Sequence, residues 1–300
     1  MMDVGRHMNL PQVSLAAERA IQHMIQSFLF PYGDTGMLCV VDSGKIKLGG
    51  NGLALLALAE LLEAKWDQEL ARVAERLGRY IVSEKLEDGD FVHSRIYETN
   101  RVRDFRSDYY TGEALFGLLR LHEVTGKKEW LDCALSSETE LFQRNYGVSS
   151  QSHWMLYALE KLHHHSGAEL CLEHARQIAE HILMFPDYRK DNRSTPIACR
   201  SEGLLAYVRM VERSKGRKIS PDAETCLREV RRNLSLQLQF KTPMGAFIRG
   251  GGSDEIRIDY IQHNISSFLA YHRLSQVQSQ VPKAVKPGAT NTRPLPNPAA

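Results

Sequence analysis

The sequence predicts an all-α protein folded as an α/α toroid, with an inner ring of helices backed by an outer ring. Three observations carry that expectation. Segments of helical period alternate between apolar on all sides and amphipathic. A short pattern recurs at the start of the apolar segments. The stretches between them repeat a glycine turn followed by an aromatic residue. A helix apolar all round must be buried, whereas one with a polar face lies outside it, so the alternation reads inner, outer, inner, outer.

Each element follows from its own residues. In Leu10–Phe28, Val13, Ala16, Ala20, Ile21, Met24 and Phe28 share one face behind Pro11, which marks an amphipathic helix. A loop with Pro31, Gly33, Asp34 and Gly36 leads to a short strand, Met37–Val41, ended by Asp42-Ser43-Gly44. The inner set is Gly50–Leu62, Thr111–Glu123, Ser152–His163, Ser201–Glu212 and Ile261–Leu274. The outer set, rich in Arg, Glu and Gln, is Gln68–Leu86, Lys128–Arg144, Ala168–Met184 and Ala223–Gln239. More than half of residues 10–275 are therefore expected in helix, with strand confined to Met37–Val41 and Phe247–Arg249. Residues 1–275 read as a single toroid domain. In 276–300, Pro282, Pro287, Pro294, Pro296 and Pro298 interrupt a run with no acidic residue, and this tail is expected to be disordered.

The repeat is visible residue by residue. Asn51-Gly52-Leu53-Ala54-Leu55, Thr111-Gly112-Glu113-Ala114-Leu115 and Ser152-His153-Trp154-Met155-Leu156 follow one template, and Ser201-Glu202-Gly203-Leu204-Leu205 opens a further copy. Asp88-Gly89-Asp90-Phe91 and Met244-Gly245-Ala246-Phe247 are the matching connectors. Over residues 10–275 the chain resembles the six-hairpin glycosidase-like α/α toroids, and its connectors also resemble those of terpenoid-cyclase and prenyltransferase toroids. The resemblance implies a fold shared by many activities, and carbohydrate chemistry in the mouth of the ring. Five inner and five outer helices are counted, beginning with an outer one. This fits either a five-hairpin ring or a six-hairpin member lacking its first inner helix, and the second reading is preferred.

Composition excludes several partners. Lys and Arg number 38 against 36 Asp and Glu, a net charge of +2, so no global field recruits nucleic acid or an anionic membrane. The apolar run near Leu53–Ala59 is far short of the roughly 20 residues of a bilayer span, and no apolar leader follows Met1. Cys39, Cys133, Cys171, Cys199 and Cys226 are odd in number and lack CxxC spacing, which reads as buried reduced thiols in a cytoplasmic protein. No cofactor or metal motif is present, and none is expected; His163-His164-His165 reads as surface, since consecutive helical residues diverge. Gly49-Gly50 with Gly52 lacks the P-loop Lys-Ser/Thr. No DDxxD, DxDD, GxSxG or HExxH run is present.

The inner helices of such a ring run parallel, so their N-terminal ends share one mouth, where function is sought. Glu113 occupies an inward position on a buried helix and needs a partner or ligand. Asp259 and His263, four apart, read as an acid/base pair, and Glu202 is a further carboxylate. These four are the catalytic candidates. Asp108, Tyr109, Tyr110, His153, Trp154, Arg200, Arg257 and Asn51 are the candidate saccharide-binding groups, with Tyr109, Tyr110 and Trp154 as stacking platforms. The bland alternatives are a helix cap at Asp108, an Arg257–Asp259 ion pair, and structural networks at Arg200, Trp154 and Asn51. Gly250-Gly251-Gly252-Ser253 reads as a flexible loop or lid over the mouth. The functional expectation is a hydrolase, lyase or epimerase acting on a saccharide by general acid/base chemistry. The alternatives are a non-catalytic glycan- or protein-binding toroid and a terpenoid-cyclase-like one.

Overall fold

The computed structural model describes residues 1–214 and 216–280. The proline-rich tail expectation falls mainly on residues 281–300, outside that range, while the last helix runs through Gln280, past the expected boundary. The elements, in order, are α1 (Met2–His7), α2 (Pro11–Phe28), β1 (Leu29–Pro31), β2 (Leu38–Asp42), β3 (Lys45–Lys47), α3 (Leu48–Ala64), α4 (Gln68–Ser83), β4 (Ser94–Ile96), α5 (Tyr110–Thr125), α6 (Lys128–Gln143), α7 (His153–Ser166), α8 (Glu169–Met184), α9 (Ser194–Arg213), α10 (Ala223–Gln237) and α11 (Ile258–Gln280). Helices α3, α5, α7, α9 and α11 pack side by side as the inner ring, and α4, α6, α8 and α10 return outside it. Helix covers well over half of residues 10–275.

Local chemistry starts and stops these helices. Asp67, Ser152 and Asp222 cap α4, α7 and α10 by accepting from the backbone N–H of Leu70, Met155 and Thr225. Gly126 and Gly167 end α5 and α7 in the left-handed conformation. The two connectors share one geometry. Leu86 N–H donates to Asp90 O at 2.7 Å, and Thr242 N–H donates to Ala246 O at 2.8 Å. Gly89 and Gly245 turn at φ +82° and +85°, and the following Phe91 and Phe247 are buried.

The repeated glycines are where the inner helices touch. A Cβ on Gly52 would stand 2.6 Å from the Glu113 backbone, and one on Gly112 would stand 2.7 Å from the Met155 N of α7. The recurring Asn51-Gly52 and Thr111-Gly112 pattern is thus a packing device that brings α3, α5 and α7 close at their N-terminal halves.

At the other end of the ring an ion-pair belt joins the helices. Arg273 of α11 binds Asp3 of α1 at 2.7 Å. Arg6 of α1 pairs with Glu60 and Glu63 of α3, which also receive Arg120 of α5. Arg120 pairs with Glu123, which takes Lys161 and His165 of α7 at 2.9 Å. Glu160 of α7 holds Arg209 and Arg213 of α9.

Three sequence expectations need correction. The chain begins with α1, a helix of 6 residues too short to show a period, and it bridges α3 and α11 at the belt end. Above α1, an apolar groove between α2 and α3 stays open, lined by Ile21, Met24, Phe28, Leu53 and Ala57. Strand also departs from the two expected runs: β1 to β4 form a four-stranded antiparallel sheet in chain order, while the expected Phe247–Arg249 strand is reduced to isolated bridges from Phe247 to Lys241 and from Ile248 to Ile256. The hairpin between β2 and β3 turns through Ser43 and Gly44, both at positive φ. Finally, α9 starts at Ser194 rather than Ser201, with Pro196 in its first turn.

Two predictions follow. Gly112→Ala forces backbone apart and is expected to cost about 1–3 kcal/mol. Gly50→Ala, which meets nothing within 4 Å, is expected to be neutral or to stabilise by about 0.4–1 kcal/mol; thermal unfolding of both variants checks the contrast. The second concerns Glu123. Burial alone would raise its carboxyl, but Lys161, His165 and Arg120 outweigh that and bring it down to about 2. A depressed carboxylate contributes stability above its unfolded pKa, about 4.5, that is lost as pH falls toward 2, here of order 3 kcal/mol. Urea unfolding between pH 5 and about 2.5 is expected to show a smaller acid loss in Glu123→Gln, and equal acid loss in both proteins would refute the assignment.

Candidate functional site at the mouth of the toroid

The N-terminal ends of α5, α7, α9 and α11 surround one cavity of about 410 Å³. Its lining includes Tyr109, Glu113, His153, Trp154, Arg200, Arg257, Asp259 and His263, eight residues expected at the mouth from sequence. Glu202 lies directly behind them, hydrogen-bonded to His263. Glu113 and Asp259 therefore share one end of the ring.

Glu113 sits in the first turn of α5, 8% exposed, and its carboxylate has no hydrogen-bond or ion-pair partner among the described residues. It has room because its neighbour is glycine: a Cβ on Gly49 would stand 2.1 Å from Glu113 Oε2. Burial pushes this carboxyl up to about 7, with His263 pulling weakly the other way. The group therefore exchanges its proton near neutral pH.

His263, one turn into α11, donates from Nδ1 to Glu202 Oε2 at 2.8 Å. Glu202 is 1% exposed and also accepts from the Tyr157 hydroxyl at 3.2 Å. Burial works against charge on the His263 ring, yet Cys199 and Glu202 outweigh it and hold its pKa well above the usual value. His153, the first residue of α7, behaves oppositely. It is 2% exposed, neither ring nitrogen has a partner, and burial followed by the charges of His263 and Arg200 holds it neutral. Its ring stands edge-on to His263 at 5.1 Å and beside Tyr109 and Trp154. Around these groups the Arg193 Nε and Thr195 Oγ1 atoms are also buried without partners. Several polar groups thus converge on open volume instead of closing on one another.

Other expected site residues lie elsewhere or play a different part. The acid partner of His263 is Glu202 from the adjacent helix; Asp259 pairs with Arg257 at 3.1 Å instead. Asn51 is fully buried and structural, accepting from Val40 N–H and donating to Lys47 O. Asp108 is exposed and Tyr110 packs on His93 and Phe105; neither lines the cavity. Arg200 reaches the cavity while tied to Gln151 Oε1 and Ser150 O, both at 3.1 Å. The Gly250-Gly251-Gly252-Ser253 segment is a docked turn: Gly251 N–H donates to Asn192 O at 2.7 Å, and Ser194 N–H to Arg249 O at 2.9 Å. Sequence reasoning misses Cys199, Arg193 and Thr195 because it starts α9 at Ser201, about two turns too late, and misses Arg249 because it lies in the connector before α11. The Ser194-Thr195-Pro196 start was the available signal. His153, Cys199, Glu202 and His263 place four donor atoms within 4.8 Å of one another, a set able to hold a metal ion.

Comparison with known proteins sets the architecture. No family model matches the chain, and no curated protein does. Among solved structures, a D-mannose isomerase superposes with a TM-score of 0.67 at 14% identity, over 92% of this chain and 83% of that one. An α-mannanase of Bacteroides thetaiotaomicron gives 0.67 at 10% identity, over 92% and 84%. A cellobiose 2-epimerase from Bacillus thermoamylovorans gives 0.64 at 10% identity, over 90% and 84%. These structures share the α/α-toroid fold of this chain. Among the described residues no helix is long and apolar enough to cross a membrane.

Proposed function

We propose that the protein is a sugar isomerase or epimerase, moving a proton on an open-chain aldose or ketose held in the mouth. The observation that carries this reading is the pairing of two unlike proton carriers on one cavity: Glu113, unpartnered and poised near neutrality, and His263, held as an imidazolium by Glu202. Glycoside hydrolysis by the usual route needs two carboxyls flanking the bond. Of the other carboxylates here, Asp259 is matched to Arg257, and Glu202 to His263 and Tyr157. Among the described carboxylates of the lining only Glu113 is free, which disfavours hydrolysis and suits a reaction with one base and one acid. An α-mannanase shares this fold to the same extent as the isomerase and the epimerase, so the choice rests on the site.

In this reading the Glu113 carboxylate takes the proton from the carbon beside the sugar carbonyl. His263 hydrogen-bonds or protonates the carbonyl oxygen as the carbon–hydrogen pair moves into the enediol. Return of the proton from Glu113 to the neighbouring carbon, with the 2-hydroxyl proton passing back to His263, interconverts aldose and ketose. Inversion requires the enediol to turn its other face to Glu113 before the proton returns to the same carbon, while His263 recovers its own proton. Glu202 keeps the His263 ring oriented and charged, while Tyr109 and Trp154 supply apolar faces for the sugar.

Exchange in heavy water of the proton beside the carbonyl, on C2 of mannose, glucose and the reducing end of cellobiose and on C1 of fructose, followed by NMR, tests the proposal. Glu113→Gln is expected to lower exchange by about 10²–10⁴-fold while ligand-induced thermal stabilisation persists. Wild-type exchange in Glu113→Gln, or Glu113-dependent release of reducing ends from glycosides without exchange, would overturn it.

A further inference from the structure

We infer that the floor of the mouth is a transition-metal site in which His153, Cys199, Glu202 and His263 bind one zinc-like dication. These residues come from α7, α9 and α11, so no local spacing announces them. Their donor atoms lie within 4.8 Å of one another. A tetrahedral zinc ion with bonds of about 2.0–2.3 Å sets its ligands roughly 3.3–3.8 Å apart, so a contraction of about an ångström completes the shell.

A second observation points independently to a ligand. His153 is 2% exposed, lines the cavity, and has both ring nitrogens buried without any hydrogen-bond partner. A buried imidazole normally satisfies at least one nitrogen, and leaving both bare costs desolvation energy. Coordination answers that deficit. The charges balance as well, since the Glu202 carboxylate and a Cys199 thiolate together neutralise a dication in a buried setting. A thiolate with two imidazoles selects zinc or cobalt over magnesium or calcium, which prefer all-oxygen shells. His153, Cys199 and His263 all line the cavity, which gives the ion its path inward. The remaining cysteines, Cys39, Cys133, Cys171 and Cys226, are free and buried elsewhere in the core.

On binding, the ion displaces the Cys199 thiol proton and the His263 proton now given to Glu202; both leave to solvent, and no electron is transferred. Ion and proton thus compete for His263, the ring to which the isomerase reading assigns a proton. Measuring the metal requires no sugar, so each proposal fails or stands by its own assay.

The full chain, stripped with a chelator, is titrated with cobalt(II) chloride at neutral pH. The expected result is one equivalent bound, with visible bands of tetrahedral intensity and a near-ultraviolet thiolate charge-transfer band, all erased by one equivalent of zinc. Cys199→Ser is expected to lose the charge-transfer band, and His153→Ala to bind at least about 100-fold more weakly. If either variant is misfolded by circular dichroism, X-ray absorption of the zinc-loaded wild type decides, and a shell of one sulfur and two imidazoles is expected. No stoichiometric binding by wild type, retention of the band in folded Cys199→Ser, or a zinc shell without sulfur overturns the proposal.

Discussion

The parallel alignment of five long inner helices is the constraint from which the rest of the molecule follows. Glycine contacts fix it near the N-terminal ends, where Gly52 meets α5 and Gly112 meets α7 at separations no side chain could occupy. Parallel helices add their dipoles, so one face of the ring collects partial positive charge and the other partial negative charge. Arg120, Lys161, His165, Arg209, Arg213 and Arg273 stand toward the C-terminal ends, and Glu113 and Asp259 stand in first turns, while Arg193, Arg200, Arg249 and Arg257 line the mouth against the dipole trend. The acids that do sit at the C-terminal face, Glu60, Glu63, Glu123 and Glu160, are each held by arginine or lysine.

Against that background the mouth is defined by what is left unmatched. Buried carboxylates elsewhere each have an ionic partner: Glu84 has Arg95, Glu160 has Arg209 and Arg213, and Glu138 has His174 at 2.7 Å on one oxygen, its Oε2 having no hydrogen bond. Glu113 is buried to a similar degree and is matched to nothing among the described residues. A carboxyl in that position relieves its desolvation by taking up a proton, which is why burial alone moves it near neutrality. His263 keeps its charge despite burial because Cys199 and Glu202 stand beside it. A carboxyl poised near neutrality and an imidazolium on one cavity are what proton-transfer chemistry requires.

How much of this was legible in the sequence depends on how local each cause is. Inner and outer helices follow from apolar period, and the glycine-turn-aromatic connectors from residues adjacent in the chain; both were readable. The recurring Gly52 and Gly112 were visible as a pattern, though their role as contact points emerges only when neighbouring helices are in place. The failures are non-local. Asp259 looked like the partner of His263 because it lies four residues away, but Arg257 lies nearer still to Asp259 and Glu202 approaches from another helix. Cys199 carried no signal, since its neighbours His153 and His263 come from separate helices. Asn51 occupies a helix start like the others, yet its amide is consumed in joining β2 to α3.

The two ends of the toroid also explain how such a mouth persists. Unpartnered buried groups destabilise a fold by about 1–3 kcal/mol each, and Glu113, His153 and Thr195 present several of them together. A domain of ordinary stability tolerates that only if the surrounding helices cannot relax to cover them. Here they cannot: the glycine contacts leave no slack between α3, α5 and α7, and the belt pins the far ends from α11 through α9. Closing the mouth would mean tilting helices whose other ends are fixed. The rigidity of one face therefore keeps the polar groups of the other unsatisfied and turned toward the open volume of the mouth.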